Sequence, residues 1–121
     1  MALIGLDHVN IRTANLDGMC RFYEDVLGLA QGPRPNLNFG GAWLYCGDLA
    51  VIHLVELSEP AKVDEVQIVH FAFRAEGLAA FLAHLDGAGI AYKQTAVESS
   101  GRHQVFIRDP DRNRVEIQFG P

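Results

Sequence analysis

Four residues of this chain belong to types that bind divalent metal ions, and they recur in matched places: His8, His53, His70 and Glu116. Residues 6–13 read LDHVNIRT and residues 68–75 read IVHFAFRA, each with histidine third and arginine seventh. His70 stands 62 positions after His8. A second pair matches near the end of each half: AVIHL carries His53, and NRVEI carries Glu116, 63 positions later. Self-similarity at a fixed period marks a duplicated structural unit. A unit with one metal ligand near each end, repeated, brings four such groups to one place. Three imidazoles and a carboxylate suit a borderline ion such as Zn, Ni, Fe(II), Co or Mn. Thiolates are absent from the set, so a closed structural zinc site is not expected. Four protein ligands on an octahedral ion leave two positions open, and three leave three. Either number lets a substrate chelate through two neighbouring oxygens.

The elements that must position these groups follow from periodicity. Residues 5–12 alternate, with Val9 and Ile11 on one side and His8, Asn10 and Arg12 on the other, which predicts a strand. Over residues 15–27 the apolar positions Leu16, Met19, Cys20, Tyr23, Val26 and Leu27 recur at helical spacing. Asn15 is placed to cap that helix and Gly28 to stop it. The stretch GPRPNLNFGG reads as a loop with a short edge strand. GAWLYCG and LAVIHLVEL read as a hairpin across Gly47-Asp48. The order then repeats: a strand over 67–74, a helix over 77–86 ended by Gly87 and Gly89, and a strand near 91–97. HQVFIR and RVEIQF follow, joined by the turn Asp109-Pro110-Asp111-Arg112-Asn113. Each half is strand, helix, then about three strands. The polar, proline-containing segment 58–65 reads as the hinge between a module of about 1–57 and one of 66–121.

Side chains alternate across a strand. Val69, Phe71 and Phe73 share one face, leaving His70, Ala72 and Arg74 opposite. Val115, Ile117 and Phe119 likewise leave Arg114, Glu116 and Gln118 on the other face. The helices must cover the apolar faces, so the polar faces look away from them and line a concavity if the sheet curls. His84 falls in the second helix and reads as solvated, and His103 reads as a rim residue beside Gly101 and Arg102. Phe39, Trp43 and Tyr45 read first as core, with a substrate wall as the second reading.

Bulk properties exclude several classes. The chain has 121 residues, the size of one ordinary domain, with 49% apolar and 21% charged residues. A net charge of −5 gives no support to nucleic-acid binding. No apolar run approaches the roughly 18 residues of a membrane span. The start, MALIGLDHV, lacks the basic region and cleavage site of a signal peptide. The two cysteines, Cys20 and Cys46, form no motif and read as reduced, partly buried thiols of a cytoplasmic protein.

At four stretches the chain resembles the vicinal oxygen chelate superfamily, which includes glyoxalase I, extradiol dioxygenases, methylmalonyl-CoA epimerase, and the fosfomycin- and bleomycin-resistance proteins. They are LDHVNIRTANLDGMCRFYEDVLGL, GAWLYCGDLAVIHL, VHFAFRA and FIRDPDRNRVEIQF, and the look is nearest to glyoxalase-I-like chains. The resemblance implies an α+β fold of two βαβββ modules, a curled mixed sheet around a metal-centred cavity with helices on the outer face, in one domain spanning 1–121. The family's ligand positions fall on His8, His53, His70 and Glu116. It also implies a homodimer acting on a small molecule.

The resemblance implies three functions. A glyoxalase-like lyase or isomerase would use the metal, Glu116 as base and His53 as neutral ligand, with Arg12 and Arg74 orienting an anionic substrate such as a glutathione adduct. Trp43 and Phe106 complete the substrate residues. Glyoxalase I of the bacterial type usually holds glutamate at the place of His53. An extradiol dioxygenase would hold Fe(II) on His8, His70 and Glu116 with His53 as acid–base, although those enzymes usually place a tyrosine at Phe106. A non-catalytic drug-binding resistance protein typically lacks the metal set that is intact here.

Overall fold

The computed structural model describes all residues from Met1 to Pro121 and divides into two compact units, Met1–Lys62 and Val63–Pro121. In the first unit the order is β1 (Val9–Thr13), α1 (Leu16–Arg21), β2 (Ala30–Gly32), β3 (Gly41–Cys46) and β4 (Leu49–Glu56). The second runs β5 (Phe71–Ala75), α2 (Leu78–Ala88), β6 (Lys93–Val97), β7 (Arg102–Arg108) and β8 (Arg114–Phe119). Each is a four-stranded mixed sheet of the same topology, β1-β4-β3-β2 and β5-β8-β7-β6, with the first and last strands parallel. The fold is α+β, and the duplication seen in the residues is a duplication of architecture.

The first helix is capped as its sequence requires, since Asn15 Oδ1 accepts from the Gly18 amide at 3.2 Å. It differs from the single α-helix expected over 15–27: after Arg21, residues Phe22–Val26 continue in a wider π-helical turn. Single π turns interrupt helices without ending them. This one keeps Phe22, Tyr23 and Val26 on the buried side, with Met19 and Tyr23 wholly enclosed. Gly28 then takes φ 73°, which closes the helix. The second unit centres on Leu85, Val105, Ile107, Val115, Ile117 and Phe119.

Three expectations are corrected. β1 begins at Val9 rather than residue 5, and β5 at Phe71 rather than 67, so both leading histidines stand one residue ahead of a strand. The β5 ladder opens with Phe71 opposite Val115, one residue after β8 begins at Arg114. Val69, assigned to an apolar face, is therefore exposed. Cys46, expected to be partly buried, is exposed, whereas Cys20 is buried. The Cys20 thiol is pushed above its ordinary pKa by burial, with Glu24 and Asp17 adding to it. No helix is long and apolar enough to cross a membrane.

The turn that sets β8 in place is held by one carboxylate. Asp109 Oδ1 accepts from the amides of Asp111 (3.0 Å) and Asn113 (2.8 Å), and Oδ2 accepts from Asn113 Nδ2 (2.8 Å). Those bonds hold Arg112 at φ 72°, the only non-glycine residue with positive φ. Asp109→Ala strands these donors beside a side chain that is 3% exposed. Chemical denaturation of that variant is expected to show a loss of about 1–3 kcal/mol, the usual cost of leaving buried partners unmade.

Candidate functional site

In the second unit Glu116 lies on β8 between β5 and β7, with Ala72 beside it on one strand and Phe106 on the other. The small Ala72 side chain leaves room over the carboxylate. His70 uses it: Nε2 lies 3.4 Å from Glu116 Oε1. Glu116 is buried, at 4% exposure. A buried carboxylate is costly unless partnered. Amides supply the partners, because Gln104 Nε2 donates to Oε1 at 3.3 Å and itself accepts, through Oε1, from the Thr95 hydroxyl at 2.9 Å. On the other side the Gln118 amide, oriented to satisfy both its ends, donates to Glu116 Oε2 at 3.3 Å and accepts from Arg102 Nη1 at 2.9 Å. Phe106 meets the His70 ring edge-on, with centroids 5.7 Å apart, and Arg114 lies over its face at 4.2 Å.

In the first unit His53 occupies the corresponding place on β4, with Asn10 and Trp43 as its cross-strand neighbours. Just before it, the register slips by one residue between Leu44 and Tyr45, a bulge of the kind common beside functional sites. Three rings then stack. Trp43 lies 3.8 Å from His53 at 10°, and His53 lies 3.7 Å from His8 at 11°. His53 Nε2 donates to the Ala50 carbonyl at 3.1 Å, which leaves Nδ1 as the free nitrogen. His8 is fixed differently, with Nδ1 on Asp7 Oδ2 at 2.7 Å and Nε2 free. A carboxylate behind a histidine is the usual way to orient a metal-binding imidazole.

Each unit thus brings together its own pair, and neither gathers three or more His, Cys, Asp or Glu side chains in a group that could hold one metal ion. The pairs differ in how they fit an ion. Donors that share one ion at about 2.0–2.2 Å lie roughly 2.8–3.6 Å apart for octahedral or tetrahedral angles. The His70–Glu116 separation of 3.4 Å is inside that range. Imidazole lone pairs lie in the ring plane, however. Two rings stacked 3.7 Å apart cannot both aim at one ion about 2.1 Å away. His8 and His53 share an ion only if one ring turns out of the stack.

The remaining expected residues are Arg12, exposed on β1, Arg74, exposed on β5, and Trp43 and Phe106, both half-buried against histidines. His84 lies on the exposed side of α2. Gln104, Thr95, Arg102 and Asp7 were missed. Alternation from Phe106 would have placed Gln104 near the face of Glu116, but which amide reaches the carboxylate depends on strand register.

Burial, followed by the neighbouring His8, lowers the His53 pKa below its ordinary value of 6.5; the Ala50 carbonyl and Asp7 act in the opposite direction. The folded chain then binds fewer protons at this residue than the unfolded chain, so acidification favours unfolding. In metal-stripped protein, stability is expected to fall as pH drops below about 6.5. His53→Gln is expected to flatten that part of the curve, checked by urea melts between neutral and mildly acidic pH. An unchanged slope in the variant would remove His53 as its source.

The sequence matches a family model described as the Glyoxalase/Bleomycin resistance protein/Dioxygenase superfamily over residues 5–117. Among solved structures it is similar to a putative glyoxalase family protein from Bacillus anthracis, at 22% identity and TM-score 0.81, covering 100% of this chain and 98% of that one. It is similar to a lactoylglutathione lyase from Agrobacterium tumefaciens, at 24% identity and TM-score 0.70, over 93% and 91% of the two chains. A genomically encoded fosfomycin resistance protein from Listeria monocytogenes matches at 15% identity and TM-score 0.77, over 99% and 96%. Likeness at this level of identity carries the fold.

Proposed function

The chain belongs to the glyoxalase/bleomycin resistance protein/dioxygenase superfamily, and from that premise we propose that it is a divalent-metal-dependent lyase or isomerase of the glyoxalase kind. Its substrate is a small molecule offering two adjacent oxygens. The observation that carries this reading is the buried Glu116 carboxylate beside His70, at the spacing of two donors to one ion. His8, His53, His70 and Glu116 are the residues that would hold the ion. When bound, it would polarise the substrate oxygens and ease removal of a proton from the adjacent carbon. Glu116 takes that proton. Gln104 and Gln118 hold its carboxylate plane, so that it is aimed before substrate arrives. Trp43 and Phe106 exclude water beside the histidines. Arg12 and Arg74 orient the anionic part of the substrate, for which a glutathione adduct is the leading candidate.

The clamp on His53 favours a second reading, an extradiol-type Fe(II) dioxygenase that opens a catechol ring. With His53 held between Trp43 and His8, the ligands reduce to His8, His70 and Glu116, the two-histidine-one-carboxylate pattern of non-haem iron oxygenases. His53 then serves as a neutral acid–base group.

Several exposed apolar residues support a homodimer. Leu3, Ile4 and Leu6 lead into β1, and Val66, Ile68 and Val69 lead into β5, each an edge strand of its sheet. We assign a second copy of the chain as their cover. The free thiols Cys20 and Cys46 suit a reducing cytoplasm.

Metal analysis with turnover on a hemithioacetal and on a catechol tests these readings. His8→Ala and Glu116→Ala are expected to lose the ion while still folding, Glu116→Ala with some loss of stability from the stranded amides, and His84→Ala to keep the ion. Gln104→Ala is expected to weaken the metal by about 10–100-fold, as loss of a ligand's hydrogen-bond partner usually does. Equal metal content in wild type, His8→Ala and Glu116→Ala would refute the site. Iron with ring opening would put the second reading first. His53→Ala separates the two: metal weakens if the ring is a ligand, and persists with activity lost if it only carries a proton. Mixing the His8→Ala and Glu116→Ala proteins restores metal only if the ligands come from two chains.

A further inference from the structure

The second unit holds a cavity of about 920 Å³ at the end of its sheet, beside the start of α2, within the size range of small-molecule pockets. Its wall includes Arg74, Glu76, Arg102, His103 and Gln118. We propose that this cavity binds the carboxylate of a small organic acid, gripped between the guanidinium groups of Arg74 and Arg102.

Both arginines neighbour Gln118. Arg74 on β5 sits beside Gln118 on β8, and the Arg102 Nη1 reaches the Gln118 oxygen at 2.9 Å. Neither guanidinium is ion-paired. Arg102 spends one N–H on Gln118 and keeps four, enough for a two-pronged bond to a carboxylate. Glu76 and the terminal Pro121 also line the wall, so negative groups oppose the two guanidiniums. This favours a monoanion over a phosphate dianion.

Gln118 joins this cavity to Glu116, two residues away on the same strand face, roughly 7 Å along the strand. Resting on the function proposed above, an acid held by Arg74 and Arg102 would extend its other end toward Glu116 and His70. The binding claim itself does not need the metal.

The test is a titration of benzoate, and separately of inorganic phosphate, into metal-stripped protein carrying nitrogen-15, read at the arginine side-chain N–H signals. Saturable shifts of Arg74 and Arg102 with benzoate are expected. R74Q and R102Q, checked as folded by circular dichroism, are each expected to weaken binding by about 10–100-fold, the usual loss for a hydrogen bond to a charged group. Shifts that do not saturate, or the same affinity in both variants, overturn the pocket. Phosphate binding tighter than benzoate overturns the assignment to a monocarboxylate. Because the protein carries no metal in this assay, failure here is separable from failure of the metal site.

Discussion

The structure depends most on keeping a carboxylate buried at the centre of a sheet. Glu116 is 4% exposed on one of the two inner strands of the second unit. Water cannot solvate it there, so the fold must provide donors. Three side chains do so: His70 from ahead of β5, Gln104 from β7 and Gln118 from β8. The residues around it follow from that need. Ala72 is small where His70 must pass over. Asp109 fixes the turn that starts β8. Thr95 and Arg102 hold the amides that hold the carboxylate. A lone solvated glutamate would require none of these.

The first unit shows what the same frame does with another residue. His53 and Glu116 occupy equivalent places, as do Asn10 and Ala72, Trp43 and Phe106, and His8 and His70. Where the second unit surrounds an anion with donors, the first encloses a neutral ring between two flat ones. Burial favours the uncharged imidazole, which agrees with the lowered pKa of His53. One duplicated scaffold thus presents an anionic, amide-braced group in one copy and a neutral, stacked group in the other. An enzyme that must hold a cation and move a proton can use both.

Much of this was legible in the residues. The repeat of LDHVNIRT and IVHFAFRA revealed the duplicated architecture, and strict alternation put Glu116 and Gln118 on one face. Asn15, Gly28 and the Asp109–Asn113 turn carry local signals that need no partner strand. What escaped depends on pairing. β1 and β5 start at Val9 and Phe71, and alternation alone continues past the first paired residue. The π turn after Arg21 keeps the same apolar residues inward, so its periodicity cannot be told from an α-helix. The stack of Trp43, His53 and His8 requires Trp43 to oppose His53, which a one-residue bulge in the hairpin decides. The fold therefore reads from periodicity, while the fine geometry of the site reads only from register.

Membership of the superfamily explains the scaffold, but many reactions run on it, and the solved relatives described share at most 24% of their residues with this chain. The chemistry rests on the chain's own side chains. Anomalous X-ray scattering from crystals grown with Mn²⁺ or Zn²⁺ examines them most directly. The account predicts a peak about 2.0–2.2 Å from both His70 Nε2 and Glu116 Oε1. A lattice saturated with metal but showing no density at that pair would contradict it.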